Sequence, residues 1–351
     1  MHNSYQQISE PNNSVRLSDI AEATGFSLST VSKALNGRSD VAESTRRIIN
    51  AALNMKGYTK RNTARKKQHL IEVVFQDFDN IWALEVLRGV VKEAKKHDLG
   101  TITTISGDKK HPDNTWIDGV IHRQPVGVIL IFSTITNEEQ ERLNSCGIPF
   151  VIFDPSGNPT LNSMSVQADN WTGGLTATRH LLSLGHTRIG IITGPSDMMC
   201  SRARFDGYAT ALAERGIDID PALVTEGEFT TPGGYAQAME LLNDPLTRPT
   251  AIFAGSDLQA MGVYEAARQF ELSIPNQLSV IGFDDIQTSE FLGPALTTIR
   301  QPLQDMASAA TELIVKTINK LPAQRHIIMP TSLVLRQSTQ ALHPRERRTD
   351  P

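Results

Sequence analysis

Residues 15–67 read VRLSDIAEATGFSLSTVSKALNGRSDVAESTRRIINAALNMKGYTKRNTARKK, and this stretch decides how the N-terminal part folds. Ile20, Ala21 and Ala23 carry the apolar stripe of a first short helix. Gly25 supplies a turn residue that leaves the helical region without steric cost. Ser27 stands where an N-cap belongs, its hydroxyl able to accept from amides of the next turn. Val31, Ala34 and Leu35 recur at the spacing of one helical face, leaving Leu28, Ser29, Thr30, Ser32 and Lys33 to point outward. Glu43 to Met55 predicts a third amphipathic helix, with Ile48, Ile49, Ala52 and Leu53 as its buried face and Gly57 as its stop.

A second helix that exposes small hydroxyls and a lysine suits a DNA major groove. Small side chains allow close approach, hydroxyls meet base edges or phosphate, and lysine reaches guanine or phosphate. A helical hairpin with a solvated face is the plainer alternative, and charge weighs against it. Residues 14–68 hold eleven Lys/Arg against four Asp/Glu, a local +7 in a chain of formal charge -4, which leaves -11 for the rest. A basic module on an acidic body is the layout of a nucleic-acid reader joined to a regulatory domain. Between Tyr58 and Gln68 five basic residues occur with no acid and no apolar stripe, so a linker is expected there.

The chain of 351 residues is long enough for two or three domains, with 39% hydrophobic and 21% charged residues. No apolar run reaches the length of a membrane span, and the first residues, MHNSYQQISEPNNS, lack the features of a signal peptide. Two cysteines, Cys146 and Cys200, are too few for a disulfide or metal framework and fit a reduced cytoplasm. No cofactor or metal site is expected. The motifs of serine hydrolases, P-loop nucleotide binders, zinc proteases and dinucleotide binders are absent, which argues against an enzyme. His180 and His186 are the nearest histidine pair and are expected to stabilise a turn rather than hold a metal.

From Leu70 onward short β runs alternate with helical stretches. The runs are 71–75, 101–105, 126–132, 150–153, 188–193, 223–227, 251–255 and 279–284. Several are almost continuously apolar, as strands covered on both faces should be. The alternation predicts right-handed βαβ units and parallel sheets, and the pattern restarts near Asn170, which predicts two α/β lobes with a cleft between them. The expected organisation is a disordered leader at 1–14, a helix-turn-helix head at 15–58, a hinge at 59–69, a two-lobed domain at 70–340 and a flexible tail at 341–351.

The chain resembles the lactose/galactose repressor family of bacterial transcription regulators along nearly its full length. The resemblance rests on VRLSDIAEATGFSLSTVSKALNG, VAESTRRI, LGHTRIGIITGP, RARFDGY, RPTAIFAGSDLQAMGVYEA, IPNQLSVIGFDDI and PALTTIRQPLQDM, in that order. It implies a helix-turn-helix head, a hinge, a core like the periplasmic sugar-binding proteins, and a homodimer on a pseudo-palindromic operator. It also implies that Leu28 and Ser29 read bases, that Lys33 stands at a usual arginine or lysine position, and that Ser27, Thr30, Ser32 and Asn36 cap the helix or contact phosphate.

The hinge departs from the pattern. Lys60 and Arg61 replace the family's proline and asparagine, and Lys67 stands in place of the leucine that wedges into the minor groove. Lysine is ill suited to unstacking bases, so phosphate contact through Arg61, Arg65, Lys66 and Lys67 is expected instead of the usual kink. Ala42 replaces a common serine N-cap, at a cost of about 1 kcal/mol.

Ligands of such sheets bind beyond the carboxyl ends of strands. By resemblance the effector contacts are Trp82, Arg204, Phe229, Ser256 and Asp284, with Asp154 and Trp171 as weaker candidates. An arginine fork and a carboxylate grip vicinal hydroxyls while aromatic rings cover a sugar's apolar face, so a carbohydrate is expected. Two tryptophans near the cleft suggest a ligand larger than one monosaccharide, such as a plant-derived oligosaccharide or glycoside. The plainer readings are that Trp82 and Phe229 are core, that Asp284 caps a helix, and that Arg204 bridges the lobes to an acid. Ser256 stands where the family often has asparagine. The alternative functions are a regulator answering to a purine or phosphometabolite corepressor, or a sugar-binding transport protein.

Overall fold

The computed structural model describes residues 15–35, 38, 41–56, 58, 68–76, 78, 81–107, 115–131, 135–155 and 163–342. The proposed leader, Asn36, Gly57, the hinge residues 59–67 and the tail from 343 lie outside the described residues. The chain divides into two units, one within 1–68, 114–126 and 135–149, the other within 69–113, 127–134 and 150–351.

The first unit opens with three helices, α1 (Leu17–Thr24), α2 (Leu28–Leu35) and α3 (Glu43–Met55). Their shared core is Ile20, Val31, Ala34, Leu35, Val41, Ile49 and Leu53, with Phe26 and Tyr58 packed against it. Gly25 ends α1 at φ 72°, a left-handed conformation that costs glycine nothing, and its N–H donates to Ala21 O at 2.9 Å. Two expectations fail here. Ile48 is 51% exposed, and Ala23 is exposed as well. The face of α3 that meets the core runs through Arg46, Ile49 and Leu53, so Ile48 is turned away from it. Arg46 is fully buried and donates from Nη2 to Arg38 O at 2.8 Å and Val41 O at 3.2 Å, which pins the backbone following α2. The same unit holds α5 (Trp116–Arg123) and α6 (Asn137–Ser145), joined by Trp116 Nε1 donating to Glu139 Oε1 at 3.2 Å and by an Arg142–Asp118 ion pair.

The second unit contains two six-stranded sheets. The first runs in the order β11 (His326–Met329), β5 (Met164–Ala168), β4 (Phe150–Phe153), β3 (Gly127–Ile131), β1 (Leu70–Phe75), β2 (Gly100–Ile105), with every neighbour parallel. The second runs β12 (Ser332–Val334), β10 (Thr297–Arg300), β9 (Ser279–Asp284), β8 (Ala251–Ala254), β6 (Ile189–Thr193), β7 (Val224–Glu226), parallel except for β10 with β12. Around the first sheet pack α4 (Ile81–Lys96) and α11 (Leu303–Ile318). The second sheet is covered on one face by α7 (Asn170–Ser183) and α8 (Met199–Ala213), and on the other by α9 (Thr231–Leu242) and α10 (Asp257–Gln269).

Among the described residues twelve strands therefore replace the eight expected, with β5, β10, β11 and β12 the additions. The eight expected runs supply β1 to β4 of the first sheet and β6 to β9 of the second, with β2 and β7 at edges, and the restart near Asn170 coincides with the passage from one sheet to the other. The chain passes between the two lobes three times, from β5 to α7, from β10 to α11 and from β11 to β12. Asp169 N donates to Met329 O at 2.8 Å, tying the first and third passages together.

The histidine pair fixes a distant segment. His186, 2% exposed, places Nδ1 at 2.9 Å from Thr250 Oγ1 and Nε2 at 3.1 Å from both Ser279 Oγ and Gln340 O. His180 Nε2 lies 2.9 Å from Thr339 Oγ1. Burial lowers the pKa of both imidazoles. Among the described residues no group of three His, Cys, Asp or Glu side chains could hold a metal ion, and no helix is long and apolar enough to cross a membrane.

Candidate functional site

Two constellations carry chemistry, one in each unit. On α2 the N-cap is Ser27, whose Oγ accepts from Thr30 N at 3.1 Å and lies 2.9 Å from the Thr30 hydroxyl. Because Val31, Ala34 and Leu35 face the core, Leu28 (53% exposed), Ser29 and Lys33 face outward, with Thr30 and Ser32 at the boundary. Of the sequence-derived DNA contacts, Asn36, Arg61, Arg65, Lys66 and Lys67 fall outside the described residues. Ser27→Ala is expected to lower the stability of the three-helix head by about 1 kcal/mol through loss of the cap, read as a lower melting temperature of the head with the second unit unaffected.

In the second unit a small chamber is lined by Trp82, Arg204, Phe229, Ser256, Leu258, Asp284 and Gln301. Five of these are residues expected from the sequence, and the fold brings them together from five different elements. Trp82 comes from the first turn of α4, is 7% exposed and meets Phe153 edge to face at 6.0 Å and 77°. Phe229 follows β7, and its ring lies over Gly194, where any Cβ would come within 2.0 Å of it. Ser256 caps α10, its Oγ accepting from Gln259 N at 3.1 Å.

Arg204, on α8 and 4% exposed, is held on three sides. Its Nε donates to Asn170 Oδ1 at 2.9 Å and its Nη1 to Gly255 O at 2.6 Å, while its guanidinium lies 3.8 Å from the Phe283 ring centre and 5.3 Å from that of Phe229. The planar fork is thus oriented before any ligand arrives.

Asp284 ends β9 with φ 127° and Asp285 follows at φ 60°, a strained pair for non-glycine residues. Side chains hold it in place. Gln301 Nε2 donates to Asp284 Oδ1 at 2.6 Å, and Asp285 is paired with Arg300 and Arg336, each at 2.6 Å. Behind them Asp257, fully buried at the start of α10, accepts from Thr298 Oγ1 at 2.5 Å, Ser289 Oγ at 2.5 Å and Ile286 N at 3.1 Å. Asp284 therefore does not cap the following turn. Burial raises the pKa of both Asp257 and Asp284, and for Asp257 the neighbouring Asp284 charge adds to it.

Asp154 and Trp171 do not line the chamber. Asp154 is 1% exposed at the end of β4, reaches Arg204 through Asn170 (Asn170 Nδ2 to Asp154 Oδ1, 3.4 Å), and leaves Oδ2 without a partner. Trp171 is 42% exposed on the first turn of α7. Gln301 and Leu258 line it without having been expected. Gln301 follows β10, so the strand-end rule would have found it had the threonine-rich run TTIR been read as a strand.

Burial pushes the Asp154 carboxyl up from 3.8 to about 6, against the Arg204 charge and the Asn170 hydrogen bond. At pH values between these the folded chain keeps a proton that the unfolded chain has released. The contribution is complete below pH 3.8 and is lost as pH rises through 6. Asp154→Asn is therefore expected to gain stability relative to the parent between pH 4.5 and pH 7.5, measured by urea unfolding at both; a difference independent of pH contradicts this.

Comparison with known proteins identifies the family of the chain. Residues 16–61 match the model of bacterial regulatory proteins of the lacI family, and residues 178–339 match that of a periplasmic binding protein-like domain. The chain is 32% identical over 339 residues to the HTH-type transcriptional repressor CytR of Escherichia coli strain K12, covering 93% of this chain and 96% of that one. Among solved structures it is similar to the transcriptional regulator CelR–cellobiose complex, with a TM-score of 0.71 and 26% identity over 92% of this chain and 99% of the other. A LacI family transcriptional regulator from Enterococcus faecium with bound ribose gives a TM-score of 0.71 and 28% identity over 78% of this chain and 100% of that one.

Proposed function

Because the chain belongs to the lacI family of bacterial regulatory proteins, we propose that it is a dimeric transcriptional repressor released from operator DNA by a carbohydrate. In this reading Leu28 and Ser29 meet base edges, and Ser27, Thr30, Ser32, Lys33 and Asn36 fix the helix on the phosphates. Arg61, Arg65, Lys66 and Lys67 add phosphate contacts, which makes binding steeply salt-dependent. A twofold pair of heads meets a pseudo-palindromic site. The protein acts in the cytoplasm, where its DNA is, and as a binding protein rather than an enzyme.

The observation that carries the effector assignment is the chamber that joins a pre-oriented arginine, a carboxylate and two aromatic rings. Arg204 and Asp284 can grip neighbouring hydroxyls, and Trp82 and Phe229 can cover the apolar face of a ring. Asp154 acts through Asn170 on the orientation of Arg204, and Trp171 at the surface lies apart from the chamber. The cellobiose and ribose held by two structural relatives support a sugar as ligand. Ligand closure of the two lobes must favour one arrangement over the other for DNA affinity to change. The test is fluorescence anisotropy on the protein's own upstream DNA with a panel of sugars. Release by a sugar is the expected result, and release by purines or by no sugar contradicts the reading.

A further inference from the structure

Three carboxyls and one guanidinium gather at the chamber, and their charges do not balance. Asp154 at the end of β4, Asp257 at the start of α10 and Asp284 at the end of β9 are all buried, as is Arg204 on α8. The Nε and Nη1 groups of Arg204 donate to neutral oxygens, Asn170 Oδ1 and Gly255 O, rather than to a carboxylate. Three acids against one cation would leave the buried cluster at a net charge of -2 if all were ionised. We propose that the cluster holds a proton while the chamber is empty and that sugar binding expels it, so that the effector is held more weakly as pH falls. This rests on the carbohydrate reading of the chamber.

The surrounding charges do not make up the difference. Asp285 is paired with Arg300 and Arg336, each at 2.6 Å, which leaves one positive charge. Glu85 of α4 is paired with Arg88 at 2.6 Å, and Asp305 of α11, which shares a cavity wall with Asp284, returns one negative charge. Asp169, beside Asn170, caps α7 and adds no cation. The Cys200 thiol is pushed by burial to about 12 and stays neutral. Among the described residues no group of acids could hold a metal ion in the proton's place, and no histidine lines the chamber. A buried excess of carboxylate is relieved by protonation, and burial accordingly raises all three acids, Asp154 to about 6.

The ligand enters this balance at Asp284. Gln301 Nε2 already donates to its Oδ1 at 2.6 Å, so Oδ2 is left either to carry the proton or to accept from a sugar hydroxyl. A hydroxyl donating there favours the carboxylate, and the Arg204 charge favours it too. The bound site therefore holds its proton less tightly than the empty one, and the proton leaves to solvent. Affinity is complete above the pH at which the empty cluster titrates and is lost as pH falls through it.

The test is calorimetric titration of the full chain with cellobiose, ribose, xylose and galactose at pH 6.0 and pH 8.0, and at pH 6.5 in phosphate and in imidazole buffer. The sugar that binds is expected to do so at least fivefold more weakly at pH 6.0, with a heat that differs between the two buffers as release of a proton requires. Asp154→Asn removes a charge that opposes ionisation of Asp284 and is expected to move the fall in affinity to lower pH. A purely structural effect of that substitution would weaken binding equally at every pH. Equal affinity at pH 6.0 and pH 8.0, with equal heats in the two buffers, overturns the inference and leaves the carbohydrate reading intact. A fall in affinity that Asp154→Asn does not move takes the proton away from this cluster and overturns it as well. Binding by none of the sugars at either pH contradicts the carbohydrate reading itself, and the inference falls with it.

Discussion

Asp257→Ala is expected to destabilise the second unit by about 3–5 kcal/mol, because three buried donors lose their acceptor at about 1–3 kcal/mol each. Asp257 gathers Thr298 from β10, Ser289 from the turn after β9, and the Ile286 amide onto one carboxyl, so the strained Asp284–Asp285 backbone rests on it. Asp257→Asn keeps the shape and, with its amide turned toward Thr298 Oγ1, still accepts from Ile286 and Ser289. Burial and the nearby Asp284 already hold the carboxyl toward its neutral form, which the amide mimics. The asparagine variant is therefore expected to lose about 1 kcal/mol. Urea unfolding of both variants decides the point, and equal losses contradict the assigned network.

Arg204→Lys is expected to raise the sugar concentration needed for half-release of operator DNA by about 100-fold. Lysine preserves the charge but not the flat fork that reaches Asn170 Oδ1 and Gly255 O while lying on the Phe283 ring. Loss of that geometry at a stacked, hydrogen-bonded site is of the order of 2–3 kcal/mol. The variant should therefore hold DNA at sugar concentrations that release the parent. A half-release concentration within threefold of the parent removes Arg204 from the effector's contacts.

Both effects arise in parts of the fold that the sequence displays unevenly. Strands covered by helices on both faces appear as apolar runs such as VGVILIF and AIFAG, and those runs form the sheet centres. The four further strands are β11 and β12 at sheet edges, the threonine-rich β10, and β5, whose apolar run is broken by Ser165 and Gln167. In β10 the hydroxyls of Thr297 and Thr298 are buried because Thr339, Arg336 and Asp257 meet them, a pattern that polar residues alone do not announce. Missing β10 also hid Gln301. Conversely, the strand-end rule together with family resemblance gathered Trp82, Arg204, Phe229, Ser256 and Asp284 from positions up to about 200 residues apart, and these line one chamber.

Aromatic content was a poorer guide than position. Trp171 resembles Trp82 in type, yet it sits exposed on the first turn of α7, whose buried face runs through Gly174, Ala177, Thr178 and Leu181. In the head, helical periodicity identified Val31, Ala34 and Leu35, but Arg46 took a core position that an aliphatic reading gives to Ile48. A long side chain with two backbone carbonyls in reach can replace apolar packing, and periodicity has no term for it.

The central claim is that a sugar in the cleft of the second unit controls DNA binding by the three-helix head. Linkage requires such control to be reciprocal. The most direct measurement is calorimetric titration of the releasing sugar into the full-length protein, alone and saturated with operator DNA. Operator-bound protein is expected to bind the sugar at least tenfold more weakly, by the same factor through which the sugar weakens operator binding. Equal sugar affinity in the two titrations would contradict the account.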